Sequence, residues 1–157
     1  MTSPIDLDCS GGTEANNIAL ACARASASSC ELPIGLTEIE HPSLDAPARA
    51  LAEERPDMLR WIEWRPEDGA LDVEAAGPLA FVSCTLAQGE FGFVQDLADI
   101  RQRARQAHAA CRLHSDASQA LGRLDLAQAS ESVDLLTLSP HKAGGPRGVG
   151  VLVLREG

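Results

Sequence analysis

The chain has 157 residues, 45% of them apolar and 23% charged, and a formal net charge of −10. That is the size and make-up of one globular domain with a hydrophobic core. The acid excess speaks against nucleic-acid binding, which needs clustered Lys and Arg to neutralise phosphates, and it describes a solvated surface.

No apolar run approaches the ~20 residues of a membrane span, and Met1–Asp8 lacks the basic and apolar regions of a signal peptide, so the expected location is cytoplasmic with no membrane partner. In chain order, Ile5–Cys9 reads as a strand and Thr13–Arg24 as a helix, with Ile18, Ala19 and Ala21–Ala23 as a face of small residues. Gly35–Glu40 reads as a second strand and Ser43–Glu54 as a helix with Ser43 as its N-cap. Leu59–Trp64 and Ala80–Leu86 follow as strands, and Val94–His108 as a long helix. Arg112–Ser115, Val133–Leu138 and Gly148–Leu154 complete the set as strands. Strands alternating with helices predict βαβ units and a mostly parallel sheet. In such sheets ligands bind beyond the carboxyl ends of the strands.

Cys9, Cys22, Cys30, Cys84 and Cys111 are scattered, and no two stand as C-x-x-C. Neither a zinc knuckle nor a thioredoxin motif is expected, and no metal. Reduced thiols that behave as small buried hydrophobes are.

Four polar segments follow predicted strands. Ser10-Gly11-Gly12-Thr13 opens the first helix. Two glycines admit a ligand close to the backbone, and the helix start presents free N–H groups and about half a positive charge, a cradle suited to an anion such as phosphate. Glu40-His41-Pro42-Ser43 places an imidazole at a strand end, where it can stack on a flat ring or move a proton. His114-Ser115-Asp116-Ala117-Ser118-Gln119 places a carboxylate at the end of an apolar strand, either as a helix N-cap or as the partner of a buried cation such as a protonated pyridine nitrogen. Ser139-Pro140-His141-Lys142-Ala143-Gly144-Gly145-Pro146 sets the chain's single lysine in a small Gly-rich turn, where burial would make its amine nucleophilic.

These segments, in this order, closely resemble the large domain of class V aminotransferase-fold enzymes, in particular cysteine desulfurases, which use pyridoxal 5′-phosphate (PLP). The resemblance is carried by Ser10-Gly11-Gly12-Thr13-Glu14-Ala15-Asn16-Asn17, Glu40-His41, Glu90-Phe91-Gly92, Asp116-Ala117-Ser118-Gln119, Ser139-Pro140-His141-Lys142 and Gly145-Pro146-Arg147-Gly148-Val149-Gly150. It implies a three-layer α/β/α fold with a mostly parallel sheet. It makes Lys142 the Schiff-base lysine and a mover of protons at the substrate Cα, with Asp116 pairing with the pyridinium nitrogen. His41 would stack on the ring, Gln119 would bond the ring hydroxyl, and Gly12, Thr13, Ser139 and His141 would hold the phosphate. It further implies removal of sulfur from L-cysteine to give L-alanine, transfer of that sulfur to an enzyme cysteine, a homodimer, a sulfur-acceptor protein, and a place in sulfur metabolism and iron-sulfur cluster assembly. A PLP-dependent C–S lyase or selenocysteine lyase shares every motif present. A non-catalytic remnant or assembly module of the same fold is the alternative from another class.

The chain departs from the pattern in two places. Where the family has Asn-Asn-Glu-x-Gly, this chain has Gln88-Gly89-Glu90-Phe91-Gly92, so Gly89 lacks the side chain that holds the substrate carboxylate and Gln88 is the expected substitute. The family also continues past the lysine strand into a small domain with a substrate-binding arginine and a sulfur-accepting cysteine, and none of the five cysteines here matches that one. Residues 1–157 are therefore expected to be a PLP-binding large domain without the family's N-terminal segment and C-terminal small domain, a truncated or partial form that is inactive alone.

Overall fold

A computed structural model describes residues 4–155. The ends of the span read above as one domain, and the first three residues of the segment read as lacking a signal peptide, lie outside them. Seven strands form one sheet: β1 (Ile5–Cys9), β2 (Ile34–Thr37), β3 (Leu59–Ile62), β4 (Phe81–Thr85), β5 (Arg112–Asp116), β6 (Leu135–Leu138) and β7 (Gly150–Leu154). Their order is β1-β7-β6-β5-β4-β2-β3. β2, β3, β4, β5 and β6 pair in parallel, whereas β7 runs antiparallel to both β6 and β1. β1 therefore points the same way as β6, and every strand except β7 ends at the same edge. Register keeps those ends level, with Thr85 opposite Asp116 and Asp116 opposite Thr137.

Alternation along the strands feeds two cores, one on each face of the sheet. Ile34, Leu36, Phe81 and Leu152 pack with helices α1 (Gly12–Cys30) and α2 (Pro42–Glu54). Ile62, Val82, Leu113 and Leu136 pack on the other side with α3 (Leu97–Ala107), α4 (Leu126–Ser132) and the segment bearing Leu71, Val73 and Leu79. This is the expected three-layer α/β/α arrangement. No helix among the described residues is long and apolar enough to cross a membrane.

The boundaries depart from expectation for local reasons. α1 runs on to Cys30, because its Ala and Ser residues supply no breaker before Glu31 turns into the left-handed region at φ 58°. Its buried stripe is Ala15, Ala19, Ala23 and Ala27 at i, i+4 spacing, and Ala21 faces solvent. β2 stops at Thr37, so Glu40 stands beyond the strand. The N-cap of α2 is His41 and not Ser43: Pro42 occupies the first helical position and the Nδ1 of His41 accepts the Ser43 N–H at 3.2 Å. β3 ends at Ile62, and Trp64 instead bridges to Leu71. α3 starts only at Leu97, because the Asp96 carboxylate accepts the N–H groups of Ala98 and Asp99, each at 3.1 Å. α4, capped by Asp125, was not foreseen, nor was the 3₁₀ turn Pro140–Ala143 that carries Lys142.

Candidate functional site

At the common strand edge the β1–α1 loop and the start of β7 press together. A Cβ on Gly150 would lie 2.4 Å from the carbonyl carbon of Gly11, so only glycine permits this approach. No side chain caps α1, leaving the N–H groups of its first turn available. A Cβ on Gly12 would lie 3.2 Å from both Ser118 Oγ and Ser139 Cβ, which places two hydroxyl side chains beside that helix start. Ser118 is buried, and its Oγ has no hydrogen-bond partner. Ser139 is 1% exposed, and its Oγ lies 3.0 Å from His141 Nδ1.

Asp116 ends β5 with 6% of its surface exposed. One carboxylate oxygen accepts the Ser118 N–H at 2.8 Å, capping the turn that follows. The other accepts from Asn16 Nδ2 at 2.7 Å. The same Nδ2 donates to Ser43 Oγ at 2.9 Å, and that hydroxyl lies 2.8 Å from His41 Nδ1.

These groups line one cavity of about 460 Å³, with Gly12, Thr13, Ser118, Ser139 and His141 joined by Asp116, His41, Lys142 and Arg147. All nine residues named from sequence line it or its neighbour, seven of them, Thr13 and the phosphate-loop residues included, in the first. A second cavity of about 1030 Å³ adjoins it, sharing His41, Asp116 and Lys142 and adding Glu40, Gln88, Gly89 and Gln119. Gln119 thus belongs to the second cavity, where its Oε1 accepts from Arg123 at 3.2 Å. Gln88 Oε1 is taken by its own loop, accepting the N–H groups of Glu90 at 2.5 Å and Phe91 at 3.3 Å. Lys142 is half-buried, which corrects the expectation of an enclosed amine: residues 143–149 around its turn are exposed. Trp64 and Phe91, with ring centroids 4.6 Å apart, give the second cavity an aromatic wall.

Two further buried groups bear on the site's electrostatics. Glu40 Oε1 accepts from the Thr37 hydroxyl and from Thr85 N at 2.7 Å. Burial pushes this carboxyl from 4.5 up to about 8; the Thr37 bond opposes the shift and the Asp116 charge adds to it. His114 lies between Ser83 Oγ at 2.8 Å and Thr137 Oγ1 at 3.0 Å, and burial pushes it from 6.5 down to about 4. Among the thiols, Cys9, Cys84 and Cys111 are buried, Cys22 is intermediate and Cys30 exposed. Burial raises the Cys84 thiol well above its ordinary value, so it behaves as a core residue.

Sequence reasoning missed Asn16, Ser43, Ser118 and Arg147 as lining residues. Asn16 carried a readable signal, being the only polar residue on the buried face of α1.

A family model described as aminotransferase class-V matches residues 7–157. A cysteine desulfurase of Rhodobacter capsulatus is 36% identical over 151 residues, covering 94% of this chain and 38% of that protein. Cysteine desulfurase IscS of Acinetobacter baumannii (strain AYE) is 33% identical over 152 residues, covering 94% and 37%. Among solved structures, DndA from Streptomyces lividans superposes with a TM-score of 0.78 at 28% identity over 97% of this chain and 43% of that one. A NifS-like protein superposes at 0.86 and 24% identity, a likeness of fold. The chain spans under two fifths of the length of the curated relatives it matches.

Proposed function

The chain belongs to the class-V aminotransferase family, and from that premise we propose that it carries the PLP-binding site of a cysteine desulfurase-like enzyme. The observation that carries this reading is one cavity holding an uncapped helix start, a buried carboxylate and the only lysine of the chain.

The residues fit the cofactor. Gly12 and Thr13, with Ser139, His141 and the unpartnered Ser118 hydroxyl, form a donor set for a phosphate. Asp116, already oriented by Asn16 and Ser118, suits a protonated ring nitrogen. When bound, PLP supplies an electron sink for charge developing at the substrate Cα. Lys142 would attach the cofactor and move a proton at that carbon, and Asp116 would keep the ring nitrogen protonated. His41, exposed at the mouth of both cavities, would cover the ring face. Gln119 is assigned to the ring hydroxyl. Gln88 keeps only its amide N–H groups for substrate, because its oxygen is committed to the loop.

On this reading residues 1–157 act as the cofactor-binding large domain, the substrate is L-cysteine, and a homodimer delivers sulfur to an acceptor protein in the cytoplasm. The relatives named cysteine desulfurase support this substrate. Titration of the purified chain with PLP, followed by the visible absorbance of bound cofactor, tests the reading. Saturable binding that is lost in Lys142→Ala supports it; a spectrum identical to free PLP overturns it.

A further inference from the structure

We infer that Asn16, anchored by donating to Asp116, also donates to Ser43, which in turn donates to His41, a hydrogen-bond relay from Asn16 to His41 that fixes the imidazole as its Nε2–H tautomer. Asn16 and Ser43 are thereby positioning residues for His41. The inference deepens the reading of this cavity as the reaction site and rests on it only for what the relay serves.

The direction follows from counting donors. Asn16 Nδ2 has two hydrogens and two acceptors in reach, Asp116 Oδ2 at 2.7 Å and Ser43 Oγ at 2.9 Å. Turning the amide over would set its oxygen against the Asp116 carboxylate, so the orientation is fixed by charge. Ser43 Oγ, having accepted from Asn16, must send its own hydrogen elsewhere. Its remaining partner among the described residues is His41 Nδ1 at 2.8 Å. The same nitrogen also accepts the Ser43 backbone N–H at 3.2 Å as the cap of α2. Two donors converge on one lone pair, and a neutral imidazole can answer them only with Nδ1 bare and the proton on Nε2.

The cost of the arrangement argues that it serves a purpose. Asn16 is 1% exposed on an otherwise apolar helix face of alanines and Leu20, and its Oδ1 has no partner. A buried unsatisfied acceptor is unfavourable, and packing alone would have been met by another alanine. The stray oxygen is tolerated because the amide's two hydrogens are both in use. His41 lines both cavities, and the described residues give Nε2 no partner. The group presented there is a proton donor with a fixed ring orientation.

The test reads the imidazole directly. In the ¹⁵N-labelled chain, without cofactor or substrate and at a pH where the ring is neutral, His41 is assigned by its loss in His41→Gln. Its Nδ1 and Nε2 shifts should sit at the acceptor and N–H extremes respectively. In Ser43→Ala, where the backbone N–H of residue 43 is the one donor left on Nδ1, the two shifts should move part of the way toward one another, and Ser43→Thr should restore the separation. Asn16→Leu should move them in the same sense; if that variant does not fold, the Ser43 pair decides alone. A proton found on Nδ1, or shifts unchanged in Ser43→Ala, overturns the relay. Because no cofactor is present, a failed relay leaves the proposed activity standing, and a failed activity leaves the tautomer result standing.

Discussion

Asn16 and Asp116, 100 positions apart in sequence, meet at 2.7 Å, so the first helix of the chain orients the carboxylate at the end of its fifth strand. The contact makes the buried acid part of a network before any ligand enters, and it specifies what substitution there should do.

Asp116→Asn should weaken PLP binding by at least about tenfold, equivalent to ~1.4 kcal/mol. The amide keeps one oxygen for the Ser118 or Asn16 donor and cannot serve both as well, so the chain itself should lose about 1–3 kcal/mol. Equilibrium titration with PLP and denaturant unfolding separate the two effects. Unchanged cofactor affinity would place the ring nitrogen elsewhere.

Gly150→Ala should damage both fold and site, because the added carbon meets the Gly11 backbone at 2.4 Å. A clash against main chain has no flexible side chain to absorb it, and the expected loss is about 1–3 kcal/mol. Paired measurement of unfolding midpoint and PLP affinity should show both falling. A variant of native stability and affinity would contradict the close approach.

The two buried titratable groups should give opposite pH dependences. His114 is lowered to about 4 from 6.5, so the unfolded chain takes up its proton first; its contribution is present above pH 6.5 and is lost as pH falls toward 4. Glu40 is raised to about 8 from 4.5, so the unfolded chain releases its proton first; its contribution is present below pH 4.5 and is lost as pH rises to 8. Each slope is at most about 1.4 kcal/mol per pH unit. Between 4.5 and 6.5 they oppose each other, and above 6.5 the Glu40 slope stands alone. Glu40→Gln should flatten the decline above pH 6.5, and His114→Gln should flatten the loss on the acid side. Unfolding midpoints measured across this range decide both; a Glu40→Gln profile parallel to the parent's would show that the carboxyl is already ionised.

The fold was legible to the extent that apolar runs and punctuation followed local rules. All seven strands lie within or beside their expected spans, because runs such as Leu135-Leu136-Thr137-Leu138 have one reading at that length. The expectation for α3 begins too early because Val94 looks apolar, whereas the Asp96 cap fixes the start at Leu97, three residues later than the pattern of hydrophobicity suggests. Residue type alone points to Ser43 as the cap; the nitrogen that does the capping belongs to His41, a role that becomes visible only once the chain turns at Pro42. In the site, Asp116, His41 and Lys142 could be named because motifs mark them. Asn16 and Ser118 act through partners brought close by the sheet, and a single sequence does not show such contacts. The half-exposure of Lys142 was unreadable for the same reason, since it depends on what packs over residues 143–149.

The most direct test of the central claim uses the fact that the chain has one lysine. Borohydride reduction of the PLP-loaded chain, followed by peptide mapping, should leave the cofactor on the peptide containing Lys142, with no label in Lys142→Ala. A label on another peptide, or an unlabelled chain at saturating PLP, would contradict the account.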